Sequence, residues 1–323
     1  MTELIFNSHK RALESGSLVF AESSVHPIIK DGIKFDISLV PSIGLKIASK
    51  KEESKPIKNL ITPTESIPTP PNLTDVPTFD PFNPVDPNLL VSDSLFTTHN
   101  LVLNKYCIVP YHLLVTTKDF QPQTDALNFN DLKATVSTMI LANDLKPLLG
   151  FYNCGPVSGG SQPHKHLQVL PMNNKGSAPI FEVWNKYQDQ IEEGKSNQIK
   201  DLPFHHFITK FGDFPQAVAE VDDFVAKILP VYEEMLNQTQ TLVRNSNPGR
   251  ISYNFLISNG YMMILPRSQE GFILGGRFIS VNSLGVAHMM LAIDSQQVED
   301  YKLGLEQSSS SWDWFKAIGY EKN

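Results

Sequence analysis

Several short apolar-rich runs along the chain read as strands. Ile33 to Leu39 alternates apolar and polar residues with the period of two that a half-buried strand shows. LVLNKYCIV (101–109) and LLVTT (113–117) flank Pro110-Tyr111-His112 and predict two strands around a short turn. FYNCG (151–155) and HKHLQVLPM (164–172) predict two more, separated by the loop GPVSGGSQP. SYNFLIS and YMMILPRS flank Asn259-Gly260, the strongest hairpin signal in the chain. ISVNSLGVAHMMLAI (279–293) predicts a further strand, or a strand passing into a helix.

Helical spacing interrupts these runs. Ser8 to Leu18 predicts a short helix. FNDLKATVSTMILAND places Leu132, Val136, Met139 and Ile140 on one face. A second helix is predicted from about Phe214 to Val243, with Asp213 as N-cap and a kink at Pro230. Its apolar face carries Val218, Val221, Val225, Ile228, Tyr232 and Met235. A polar stretch spans Asn185 to Asp201, and the C-terminus predicts one or two short helices broken by Ser308 to Ser311. Nine prolines fall among the 32 residues from Pro56 to Pro87, a density that no helix or central strand survives. Residues 51–92 are therefore expected to form an extended, partly mobile excursion, whose end FDPFNPVDPNLLV is apolar enough to dock on the body. The expected fold class is α+β: two β-rich halves, at 100–175 and 213–323, each with a helix, within one unit spanning the chain.

Composition narrows the function. The chain has 323 residues, 41% of them apolar, enough for a sizeable core. No apolar run approaches the roughly 18 residues of a membrane helix, and no secretory signal stands at the N-terminus. Two cysteines, Cys107 and Cys154, make no disulfide framework, and a cytoplasmic location is expected, with the nucleus not excluded. The net charge of -7 argues against bulk attraction to nucleic acid. An anionic ligand would have to be held by local donors.

The segment that carries chemistry is FYNCGPVSGGSQPHKHLQVLPM (151–172). Strand alternation puts His164, His166 and Gln168 on one face, and Lys165, Leu167 and Val169 on the other. The glycines of the preceding loop let backbone N–H groups approach a phosphate, and Ser158, Ser161 and Gln162 add neutral donors. A neutral imidazole attacks phosphorus well when its other nitrogen is tied to an acceptor. Nucleophilic catalysis by His166 is favoured over zinc binding by the H-x-H pair, whose third ligand would have to come from His112, His205, His206 or a distant carboxylate.

GSQPHKHLQ has the H-x-H-x-Q form of the histidine-triad superfamily, and YNCGPVSGGSQPHKHLQ resembles the diadenosine tetraphosphate phosphorylases, or ATP adenylyltransferases. PSIGLK, DPFNP, VLNKYCIVPYHLLVTT, the hairpin strings and ISVNSLG follow the family's order over most of the chain. The resemblance implies a histidine-triad-like fold of two related halves with antiparallel sheet flanked by helices. It implies phosphorolysis of diadenosine tetraphosphate to ATP and ADP through an adenylylated His166, with inorganic phosphate as second substrate. Gln168 would hold phosphoryl oxygens and His164 would orient the site. Lys46, Asn104, Lys105, Asn153, Gly159, Gly160, Ser161, Gln162, Asn282 and Ser283 would contact nucleotide or phosphates. No metal site is implied, although a divalent cation can accompany the polyphosphate. Neither nucleic acid nor membrane is an expected partner. A sugar-phosphate uridylyltransferase and a nucleotide sensor with little turnover are the alternatives. Arg267 reads as an ion-pair partner and Cys154 as a small core thiol. The chain departs from the family pattern at His288, where a glycine is usual, and at Ile293, where a lysine is usual. Val157 and Pro163 also differ. Loss of the lysine is expected to remove a positive contact to the distal phosphates.

Overall fold

The structure is a computed structural model that describes residues 1–41, 77, 79–145, 147–172, 178–212, 214–246, 251–258 and 260–322. Lys46, Asp213, Asn259 and the stretch 51–76 of the proline-rich excursion lie outside the described residues.

An eight-stranded, wholly antiparallel sheet runs through both halves of the chain. Its strands are β1 (Leu90–Ser92), β2 (His99–Leu103), β3 (Leu113–Thr117), β4 (Leu148–Cys154), β5 (His166–Pro171), β6 (Phe207–Lys210), β7 (Tyr253–Ile257) and β8 (Tyr261–Pro266). The spatial order is β6-β8-β7-β4-β5-β3-β2-β1. The halves meet where β4 pairs with β7, Asn153 opposite Asn254. β7 and β8 form the expected hairpin, with Ile257 opposite Met262.

Period-two alternation divides the sheet's side chains between two cores. Leu167 and Val169 of β5, Tyr152 and Cys154 of β4, and Phe255 and Ile257 of β7 enter the first core. The helices Phe129–Leu141 and Val221–Ser246 cover it with Leu132, Val136, Met139, Val225, Ile228, Tyr232 and Met235. Leu170, Phe151, Leu256 and Met263 enter the second, under Trp184, Tyr301, Trp314 and Phe315. Burying a side chain of this size contributes about 1.5–3 kcal/mol, so a one-residue slip of β5 would expose Leu167 and Val169 and bury its polar set. Over this second face a smaller sheet joins Ser24–Lys30, Ile33–Leu39 and Met289–Ala292, the last pairing parallel with Ile33–Leu39.

Some boundaries differ from the sequence reading. The first helix spans Thr2–Glu14, because Ile5, Ser8, His9 and Ala12 form its buried stripe and Gly16, at φ 74°, turns the chain just beyond it. The long helix starts at Val221, seven residues late. Before it, the Glu220 carboxylate accepts from the Gln216 and Ala217 amides and holds a 3₁₀ turn over Val218–Glu220. Pro230 lies inside the helix without ending it. The helix Pro179–Lys186 and strand β6 went unread in the sequence. The docked end of the excursion is as expected: Phe82 and Leu89 are buried in the first core.

Candidate active site

The Gly-rich loop after β4 and strand β5 line one cavity of about 840 Å³. Gly159 makes the loop's path possible. It sits at φ 76°, and a Cβ there would stand 2.7 Å from the Val281 carbonyl oxygen and 2.9 Å from Asn282 Cα. His166 and Gln168 project from β5 into the same space, with Asn153, Ser161, Gln162 and Asn282 around them and Asn104 and Lys105 further along the wall.

His166 is held at one end and free at the other. Its Nδ1–H donates to the His164 carbonyl oxygen at 2.8 Å, and its backbone N–H donates to Gln123 Oε1 at 2.9 Å. Gln123 is fully buried and donates from Nε2 to the carbonyls of Asn153 and His166, tying β4 and β5 to the loop. Among the described residues, no hydrogen bond reaches His166 Nε2, which faces the cavity. Burial pushes the imidazole down to about 4, so the ring is neutral at pH 7 and Nε2 carries a free lone pair.

His164 lies behind the nucleophile and does not reach the cavity surface. Its Nδ1 is 2.6 Å from Asp80 Oδ2, and its Nε2 is 2.9 Å from both the hydroxyl and the carbonyl oxygen of Thr117. Asp80 comes from the docked end of the excursion, and Phe82, two residues on, packs its ring 5.3 Å from His166 and 5.6 Å from His164. Sequence reasoning missed Asp80, Phe82 and Gln123. The DPFNP string was the only signal that could have pointed to the first two.

Asn153 is oriented the same way. Its Oδ1 accepts from Asn254 Nδ2 at 2.9 Å and from the Ser283 amide at 2.8 Å, which turns its NH₂ toward the cavity. Ser283 is fully buried and its hydroxyl donates to the Tyr152 carbonyl, so it positions Asn153 instead of lining the cavity. Asn282 spends Oδ1 on the Leu284 and Gly285 amides. Asn104 spends both ends of its amide on the protein, accepting from the Tyr106 N–H and donating to His112 Nδ1. Gly160 is buried between the lining residues Gly159 and Ser161. Lys105 is exposed at the cavity wall, its Nζ 5.7 Å from the Tyr106 ring centroid.

Among the described residues, Arg267 forms no ion pair. It is fully buried, and its five N–H donors go to the carbonyls of Ile318, Val281, Gln269 and Glu270 and to Asn254 Oδ1. It thereby fixes Asn254, and through it Asn153. Cys154 is a buried free thiol pushed up to about 12 by burial. His288 sits at φ 65°, a left-handed conformation that suits glycine. Its ring stacks 4.7 Å from Phe35 and packs 5.0 Å from Phe315. Ile293 does not line the cavity; its amide donates to Gln297 Oε1. Among the described residues, no three His, Cys, Asp or Glu side chains are grouped to hold a metal ion, and no helix is long and apolar enough to cross a membrane.

Two family models match the chain: the Ap4A phosphorylase N-terminal domain over residues 1–185 and the ATP adenylyltransferase C-terminal domain over residues 200–319. The chain belongs to the Ap4A phosphorylase family. Members of this family are nucleotidyltransferases, and the chain is therefore an enzyme of that class. Diadenosine tetraphosphate phosphorylase 2 of Saccharomyces cerevisiae is 28% identical over 251 residues, 68% of this chain and 71% of that protein. Protein APA1 of the same yeast is 31% identical over 211 residues, 60% of this chain and 61% of its own length. The fold matches that of yeast Ap4A phosphorylase Apa2. The complex with AMP superposes with a TM-score of 0.75 at 22% identity, covering 99% of this chain and 96% of that one. The complex with Ap4A gives 0.73 at 23% identity, covering 99% and 97%. The histidine-triad-like α+β fold expected from the sequence is thus the fold observed.

Proposed function

We propose that the protein cleaves diadenosine tetraphosphate by phosphorolysis and that His166 carries the adenylyl group between the two half-reactions. In the first, the Nε2 lone pair attacks the α-phosphorus. An N–P bond forms, the P–O bond to the remaining phosphates breaks, and ATP leaves with the bonding electrons. The imidazole gains positive character as the bond forms, and the His164 carbonyl facing Nδ1–H stabilises it. In the second, an oxygen of inorganic phosphate attacks the same phosphorus, the N–P bond breaks, and ADP is released with a neutral imidazole restored. The NH₂ groups of Gln168 and Asn153 are donors to the non-bridging oxygens, whose charge grows in both transition states. Gln168 does this as a neutral amide. It brings no acid or base to activate water, which favours phosphate as acceptor. Phe82, packed on the nucleophile, restricts access of solvent to the same atoms.

The observation that carries this reading is the single free nitrogen of a neutral imidazole facing a cavity beside the Gly-rich loop. Chromatography of the products formed from diadenosine tetraphosphate, with and without phosphate, tests it. Equal ATP and ADP that require phosphate, and disappear in His166→Ala, are expected. ATP with AMP in the absence of phosphate would make the protein a hydrolase and overturn the role of Gln168. Turnover of UDP-glucose with galactose 1-phosphate, in place of the dinucleotide, would move it to the uridylyltransferases.

A further inference from the structure

His112 lines the same cavity and has no role in the chemistry above. It directly precedes β3, and its carbonyl accepts from the Asn104 amide at 2.9 Å, extending the β2–β3 ladder by one pair beyond Leu103–Leu113. Asn104 and His112 therefore share the sheet face that carries Gln168, whose backbone lies opposite Leu114.

The polarity of the contacts can be read outward from the backbone. The Tyr106 N–H donates to Asn104 Oδ1 at 3.1 Å, so the NH₂ end of that amide is the end 3.1 Å from His112 Nδ1. His112 Nδ1 is then the acceptor, and the proton of the neutral ring is on Nε2. Burial keeps the ring neutral, at about 4, with the Gln168 side chain acting in the opposite sense. Nε2 is enclosed and, among the described residues, makes no hydrogen bond of ordinary geometry, while the Gln168 carboxamide is a polar group beside it. A buried N–H without an acceptor is destabilising, because it has given up its hydrogen bond to water. Turning the Gln168 oxygen toward it removes that cost and leaves the Gln168 NH₂ facing His166.

We infer that His112 is a positioning residue: with its tautomer set by Asn104, its Nε2–H orients the Gln168 carboxamide so that the NH₂ points at the phosphoryl group on His166. This assigns Asn104 to the same relay rather than to a direct nucleotide contact. The inference rests on the phosphorolysis reading for its kinetic consequence, but not for its structural one.

Two measurements test it. In protein labelled with ¹⁵N-histidine at neutral pH, His112 is expected as the neutral Nε2–H tautomer, with a Nε2 resonance that moves in Gln168→Leu. An Nδ1–H tautomer, or a Nε2 signal indifferent to Gln168→Leu, would overturn the relay. In phosphorolysis, His112→Phe is expected to lower kcat about tenfold with KM nearly unchanged, the worth of one oriented hydrogen bond. His112→Gln, which keeps an N–H, should lose less. Added to Gln168→Leu, His112→Phe should cost little more, because the group it orients is gone. Multiplying losses in the double variant would contradict the inference. Absence of phosphorolysis in the native protein would overturn the functional reading alone, and the tautomer measurement would still decide this one.

Discussion

Lys165 and His166 are neighbours in sequence, and both are almost fully buried, at 1% and 4% exposure, yet the protein treats them in opposite ways. Lys165 points to the helix-covered face of the sheet. Its Nζ donates to Asp131 Oδ2 at 2.6 Å and to the Ala126 carbonyl at 2.8 Å. Asp131 in turn meets His99 Nε2 at 2.9 Å and accepts from the Asn128 amide at the start of its helix. Burial pushes the Asp131 carboxyl up, but His99 and Lys165 outweigh it and hold the group below the usual carboxylate range. On this face the protein completes its own charges. On the other, His166 and Asn153 are each tied at one end and left with a nitrogen that has no partner among the described residues. The lesson is that burial alone does not mark a site; an end left unpaired toward a cavity does.

The largest effect expected from breaking this contrast is chemical. His166→Ala should lower kcat by about four orders of magnitude or more, while leaving the thermal midpoint near that of the native protein. Steady-state phosphorolysis and a melt on the same preparation check both halves of that statement. Substituting its neighbour should do the reverse. Lys165→Met leaves a buried Asp131 short of one of its two charged-group partners and is expected to cost about 3–5 kcal/mol of stability. The fraction that remains folded should keep most of its kcat. A urea titration with an activity assay at low denaturant separates the two, and equal loss of turnover in folded protein would erase the distinction between the faces.

Acid should affect the free-ended face first. His112 and His166 are held at about 4, and His206 and His288 at about 3, against an ordinary value of 6.5. Between those values the unfolded chain binds protons that the folded chain refuses. Stability is therefore fully present above about pH 6.5 and falls as pH drops below it, by about 1.4 kcal/mol per unit for each such histidine. Urea midpoints at pH 7.5 and 5.5 should differ accordingly, and a midpoint higher at pH 5.5 would contradict the burial assignment. The smallest effect concerns the docked excursion. Asp80→Asn weakens the 2.6 Å contact to His164, behind the nucleophile, and is expected to lower kcat about fivefold with little change in KM.

What the sequence made legible follows from range. The opposed directions of Lys165 and His166 follow from a period of two over five residues, and the β7–β8 hairpin from one dipeptide between apolar runs. Gln123, Asp80 and Arg267 were not readable as site supports, because their partners lie 43, 84 and 13 residues away and only the fold brings them together. Asn104 and Ser283 were found by type, but their hydrogen bonds turn them toward neighbouring side chains. His288 stood out as a departure. Its surroundings, an aromatic cluster around a left-handed backbone position, exist only in three dimensions.

The proposed phosphorolysis turns on one covalent intermediate. Native protein would be incubated with diadenosine tetraphosphate radiolabelled at the α-phosphorus, without inorganic phosphate, quenched in base and digested. Label on the peptide that contains His166, chased into ADP when phosphate is added before the quench, is the predicted result. No labelled peptide before phosphate is added, with ATP and ADP still formed once it is, or label on a different residue, would contradict it.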